Sequence, residues 1–157
     1  MARAHRLATP GYAGNVIYVD GSALCRFLPG VKHFDEWNAW VVPRIDQVAM
    51  TQLGVTELRQ AAELMPREQK SLAYDVVDQV RAKIAMIRFS DENVSVSTHA
   101  AAVLKPFAAL HLGAAVAHPA IDTVATYDAE LAQAAELYEL AVVSPGLPAG
   151  WHNGTAG

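Results

Sequence analysis

The chain has 157 residues, 52% of them hydrophobic and 18% charged. That balance excludes a disordered chain and allows one domain with a substantial core. The formal net charge is −4, so any nucleic-acid contact must use a local basic patch, a metal or a dimer surface rather than overall basicity. Cys25 is the single cysteine, which excludes an internal disulfide or a cysteine-built zinc site and fits a cytoplasmic setting.

Residues 1–14 hold Arg3, His5 and Arg6 but no long apolar run, so they read as a flexible N-terminal extension rather than a signal peptide. Val16 to Val19 predicts a buried strand, a short β-branched and aromatic run. Ser22 is a candidate N-cap for a short helix reaching Phe27 or Leu28, ended by Pro29-Gly30. His33 to Ile45 suits a second helix with Phe34, Trp37, Trp40 and Val41 on one face, disturbed near Pro43. Gln47 to Leu53 predicts a second strand, broken by Gly54. Thr56 then caps a helix carrying Glu57, Leu58, Ala61, Ala62 and Leu64.

Arg67 to Met86 predicts a further helix, with Leu72, Val76, Val80 and Ile84 on its apolar face. Ile87 to Phe89 suits a short third strand. Asp91 to Leu104 and Phe107 to Ala117 read as helices separated at Pro106. Ile121 to Thr126 predicts a strand, Ala129 to Tyr138 a helix and Ala141 to Val143 a last strand. The longest apolar stretch, Ala100 to Ala125, is interrupted by Lys105, Pro106, His111, His118, Pro119 and Asp122, which excludes a membrane span. Residues 147–157 are rich in Gly and Pro and predict an irregular tail. Strands alternating with helices argue for one α/β domain over residues 15–146, a parallel sheet covered on both faces.

Three acids follow strands. Asp20 ends the run Asn15-Val16-Ile17-Tyr18-Val19-Asp20 and precedes Gly21-Ser22-Ala23-Leu24. Glu57 lies in Leu53-Gly54-Val55-Thr56-Glu57-Leu58-Arg59. Asp128 ends Thr123-Val124-Ala125-Thr126-Tyr127-Asp128. Each alone can be an ordinary helix-start acid, favoured by the macrodipole. Together they place carboxylates at the sheet edge where open α/β folds bind ligands, a hard oxygen set suited to Mg²⁺ or Mn²⁺.

The chain resembles the PIN-domain ribonucleases, and within them the VapC-type toxins of VapBC toxin–antitoxin systems. Four segments carry the resemblance, in order: Val16 to Leu24, Val55 to Arg59, Leu110 to Ala115, and Val124 to Leu131 continuing through Ala134-Ala135 to Val142-Val143-Ser144-Pro145-Gly146. It implies a three-layer sandwich, with a central, mostly parallel sheet of four or five strands between helices, spanning residues 15–146. It also implies a metal-dependent endoribonuclease hydrolysing tRNA or rRNA. Asp20, Glu57 and Asp128 would be catalytic and metal-holding, with Mg²⁺ or Mn²⁺ as cofactor. Ser22 and Thr126 match small hydroxyl positions that orient the acids. A VapB-type antitoxin, the RNA substrate and a second copy in a homodimer are the implied partners.

One position departs from that pattern. The family usually has aspartate where Phe107-Ala108-Ala109-Leu110-His111-Leu112 places Ala108, and a site short of one carboxylate holds a dication less well. Three accounts stay open: an introduced Asp→Ala substitution, a natural member that is weakened or inactive, or partial replacement by Asp122. With them stays a second function, a catalytically dead PIN domain acting as an antitoxin-binding module. Arg26 and Arg59 can contact RNA phosphates or pair with nearby acids. Phe34, Trp37 and Trp40 can stack RNA bases, fill the core, or line a groove for a partner helix. His99, His111 and His118 match no compact zinc spacing, and His111 reads as a core histidine. Ser22 with His111 lacks a nucleophile elbow, and no Gly-rich phosphate loop is present. A receiver-like domain needs a lysine after its last strand, and Val142-Val143-Ser144-Pro145 offers none. Leu110, Leu112, Ala114 and Ala115 suit either interior packing or a close dimer contact.

Overall fold

The structure, a computed structural model, describes residues 15–154. The N-terminal extension expected over 1–14 lies outside the described residues. Five strands form one all-parallel sheet in the order β3-β2-β1-β4-β5: β1 Val16–Val19, β2 Val48–Met50, β3 Ala85–Met86, β4 Ile121–Ala125 and β5 Ala141–Val143. Seven α-helices connect and cover them: α1 Gly21–Leu24, α2 Phe34–Val41, α3 Gln52–Glu63, α4 Lys70–Lys83, α5 Asp91–Ala100, α6 Pro106–Ala117 and α7 Ala129–Leu137.

Strand β1 lies in the middle and sorts the core by its two-residue period. Val16 and Tyr18 enter a cluster with Leu104, Leu112, Ala115, Ile121, Val124 and Leu131, under α5, α6 and α7. Ile17 and Val19 enter the other, with Leu24, Trp37, Val41, Leu58, Val77 and Val80, under α1 to α4. All four β1 residues are buried, as a strand covered on both faces requires. Trp37 is fully buried against Phe27, with ring centroids 5.5 Å apart in an edge-on arrangement. On the aromatic face of α2, Trp37 and Val41 are core, Trp40 packs partly against them, and Phe34 is half-buried outside the cluster. Helices α5 and α6 pack closely at Gly113. A methyl on Gly113 would overlap Ser97 Oγ and the backbone oxygen of Asn93, so only glycine lets the helices meet there. Leu112, Ala114 and Ala115 are buried, which makes the small-residue stripe interior packing.

Several boundaries differ from expectation. Asp20, not Ser22, caps α1, accepting from Ala23 N, and a 3-10 turn over Cys25–Phe27 completes the expected helix. The helix expected to reach Ile45 stays α-helical only to Val41. A 3-10 run follows over Val42–Gln47, with Pro43 at its start. Strand β2 stops at Met50, and α3 begins at Gln52, so Gly54 lies inside the helix. A side chain at position 54 would press on Leu24, so the glycine permits a close helix contact rather than breaking a strand. The core side of α4 is Ala73, Val77 and Val80, while Leu72 is 52% exposed. A strict four-residue spacing drifts off the 3.6-residue turn. Strand β3 is Ala85–Met86, just before the Ile87 to Phe89 expected, and Ile87 N extends the pairing to Met50 O at 2.8 Å. The segment expected to be irregular carries a 3-10 turn over Trp151–Asn153. That turn docks on α7: Gln133 Nε2 donates to His152 O, and His152 Nε2 meets Glu136 Oε1 at 2.6 Å.

Candidate active site at the carboxyl edge of the sheet

Asp20 follows β1 directly and is 3% exposed. Its carboxylate accepts from Ala23 N at 2.9 Å, from Ser22 Oγ at 2.8 Å and from Thr126 Oγ1 at 2.6 Å. Burial pushes its carboxyl above the ordinary carboxylate range; nearby His111, the Thr126 hydroxyl, the Ala23 amide and the Ser22 hydroxyl oppose that shift. Ser22 Oγ in turn accepts from Tyr127 N at 2.8 Å, and Thr126 Oγ1 accepts from Asp128 N at 3.0 Å. The two hydroxyls predicted to orient the acids thus tie the end of β1 to the end of β4 through the Asp20 carboxylate. Parallel pairing of the two strands, with Val19 opposite Ala125, sets that register.

Glu57 lies in the second turn of α3 rather than the first, with its side chain 27% exposed. It lies against the backbone of Gly21, where a methyl would overlap its carboxylate. Beside Asp20, then, a glycine is required for Glu57 to come close. The Glu57 carboxylate is engaged by His111 Nε2 from α6. The other ring nitrogen, His111 Nδ1, lies 2.6 Å from the Tyr18 hydroxyl, which lies 3.0 Å from Thr51 Oγ1. A buried chain therefore runs Thr51–Tyr18–His111–Glu57. It starts after β2, passes through the central strand and joins helices from opposite faces of the sheet. Burial pushes the Tyr18 hydroxyl far above its usual range, so it stays protonated. Sequence reasoning recognised His111 as a core histidine with a partner but missed Tyr18 and Thr51. Their only signal was a polar atom in, or next to, an apolar strand.

Asp128 caps α7, its Oδ1 accepting from Glu130 N at 2.9 Å and Leu131 N at 3.1 Å. Its backbone joins the Asp20 cage; its carboxylate serves the helix. Ala108 is half-buried and packs on the α5–α7 side of the core. Asp122 lies near the amino-terminal end of β4, away from the edge where Asp20 sits, and accepts from Thr123 Oγ1. Among the described residues no three His, Cys, Asp or Glu side chains stand together in a way that could hold a metal ion. The donor chemistry suits a hard dication, but the arrangement does not. Asp20 already accepts from three donors, Glu57 is bonded by His111, Asp128 Oδ1 caps its helix, and Ala108 offers no oxygen.

Arg26 leans over the Tyr127 ring at 4.8 Å and donates to Ser22 O and Lys32 O. His33 stacks on the same ring with centroids 5.6 Å apart. Arg59 is exposed, lies 3.4 Å from Glu63 and covers the Tyr74 ring at 4.6 Å. Arg26 thus stands one turn from the Asp20 cage, and Arg59 has local partners on α3 and α4. Among the described residues no helix is long and apolar enough to cross a membrane.

No protein-family model matches the chain. No curated protein matches it either. Solved structures do. The crystal structure of FitAcB from Neisseria gonorrhoeae superposes with a TM-score of 0.64 at 18% identity, covering 83% of this chain and 98% of that one. VapBC2 from Rickettsia felis, bound to a DNA fragment from their promoter, gives a TM-score of 0.59 at 17% identity, covering 82% and 98%. At such identities the likeness is one of fold: the chain has the PIN-type α/β sandwich that its motifs resemble.

Proposed function

We propose that this chain is the toxin subunit of a toxin–antitoxin pair, an endoribonuclease frame directed at RNA (tRNA or rRNA) whose hydrolytic rate is low in this sequence. The observation that carries the reading is the buried Asp20 carboxylate at the carboxyl end of the central strand, held by Ser22, Thr126 and the Ala23 amide. Asp20 also caps α1, but a buried carboxyl pushed above its ordinary range at this edge of an α/β sheet is the kind of group that sites of chemistry use. Low activity follows from Ala108 and from the Glu57–His111 bond, which leave a Mg²⁺ or Mn²⁺ site incomplete. A VapB-type antitoxin is the proposed partner, supported by the fold shared with FitAcB and VapBC2. The groove between α2 and α4, lined by Phe27, Phe34, Val42, Val76 and Ile84, has room for one of its apolar side chains. Work in the cytoplasm as a homodimer belongs to the same proposal.

A second reading is favoured by the incomplete acid set: a catalytically dead PIN domain that holds the antitoxin. Position 108 separates the two. The Ala108→Asp variant should cleave tRNA in Mn²⁺ at least about tenfold faster than the unmodified chain, and its expression should arrest growth. If Ala108→Asp folds but leaves RNA intact and growth unchanged, the ribonuclease reading falls and the binding module stands.

A further inference from the structure

We propose that His111, held by Tyr18, takes the place of a divalent ion at Glu57, so that the sheet edge is satisfied without metal and resists one. The proposal rests on the reading of this edge as a nuclease-derived site. Three observations carry it. The Glu57 carboxylate is bonded through Oε1 by His111 Nε2. The His111 side chain is only 3% exposed, and its Nδ1 is held 2.6 Å from a Tyr18 hydroxyl that is itself fully buried. Swinging the ring away from Glu57 would therefore break its buried bond to Tyr18, whose hydroxyl would keep only Thr51. A Cβ at Gly54 would touch His111 Cε1 only in ordinary contact at 3.7 Å, and would press instead on Leu24 Cδ1 at 2.8 Å.

An ionised carboxylate only accepts, so with Glu57 in that form His111 Nε2 carries the hydrogen of this bond. A metal arriving at Glu57 must displace that donor. Asp20 offers no compensation, because its own oxygens already face the Ser22, Thr126 and Ala23 donors. Tyr18 and His111 are thus positioning residues: they fix Glu57 rather than touch a substrate.

Mn²⁺ binding, read from the electron paramagnetic resonance of the free ion, and the thermal midpoint in Mn²⁺ against EDTA provide the test. The unmodified chain should melt at the same temperature in both. Ala108→Asp should bind Mn²⁺ weakly. Adding His111→Leu to Ala108→Asp should tighten binding at least about tenfold, because a metal then no longer has to displace a hydrogen bond to a charged carboxylate. Where His111→Leu impairs folding, Tyr18→Phe in the Ala108→Asp background should tighten binding in the same direction by loosening the ring. The proposal is overturned if Ala108→Asp alone binds as tightly as either double variant, or if no double variant that folds binds at all. RNA cleavage is scored separately. A double variant that takes up Mn²⁺ yet spares RNA upholds the role of His111 and rejects the ribonuclease reading.

Discussion

Replacing Tyr18 by phenylalanine isolates the buried chain at the site. The ring and its packing survive, because Tyr18 of β1 is fully buried in the cluster that α6 covers and only the hydroxyl is lost. That hydroxyl serves Thr51 Oγ1 at 3.0 Å and His111 Nδ1 at 2.6 Å, and both residues are themselves buried. Each stranded buried group costs about 1–3 kcal/mol. Two neighbouring groups that share the vacated space should together cost about 2–3 kcal/mol, which for a domain of this size lowers the melting temperature by about 4–12 °C. Urea unfolding at neutral pH measures it, with an unchanged denaturant slope showing that the native state stays compact. A cycle with Glu57→Gln asks whether the chain acts as a unit, and should show a coupling of about 0.5–3 kcal/mol. A loss below about 0.5 kcal/mol, or strict additivity with Glu57→Gln, would refute the idea that Tyr18 holds His111 on Glu57.

Two further perturbations test other parts of the account. Burial is the main cause of the raised Asp20 carboxyl, so the folded state favours its neutral form. Its stabilising contribution is complete below the ordinary value of about 4 and fades as pH climbs through the raised one. Asp20→Asn cannot ionise. Its stability relative to the unmodified chain should therefore grow from about pH 4 upward, and urea midpoints compared across pH should diverge; a pH-independent difference would remove burial as the cause. Gly113→Ala should destabilise by about 1–3 kcal/mol, because its methyl overlaps Ser97 and Asn93 across the α5–α6 contact. Far-ultraviolet circular dichroism during thermal unfolding reads the effect, and an unchanged midpoint would mean that the two helices can part without cost.

The layered α/β plan was legible because its signals are local. Val16–Val19 lies between Asn15 and Asp20, and Ala141–Val143 ends at Ser144-Pro145; the structure has both runs with the same limits. Boundaries set by tertiary contact were not legible. Gly54 carries the same letter whether it ends a strand or admits Leu24 to a helix, and only the packing of α1 on α3 decides. Asp20 and Ser22 are both good caps; Asp20 takes that role at α1 because its carboxylate is anchored at the same time by Thr126 from a distant strand. The residues Asp20, Ser22, Glu57 and Thr126 could be named from motif positions. The orientation of the Asp128 carboxylate toward its own helix, and the reach of His111 across the strand ends, depend on rotamers that no spacing encodes.

The partners that clamp Asp20 are far apart in the chain: Thr126 lies 106 residues after it. During synthesis the ribosome releases β1 long before β4. Until then the Asp20 carboxylate stays hydrated and unrestrained, since the sheet cannot close around a central strand that lacks one neighbour. Pairings of such sequence separation also form slowly. A nascent or prematurely terminated polypeptide that stops short of β4 therefore carries the first half of the edge but no assembled site. Whatever this edge does, it begins only once β4 has been made and has paired with β1.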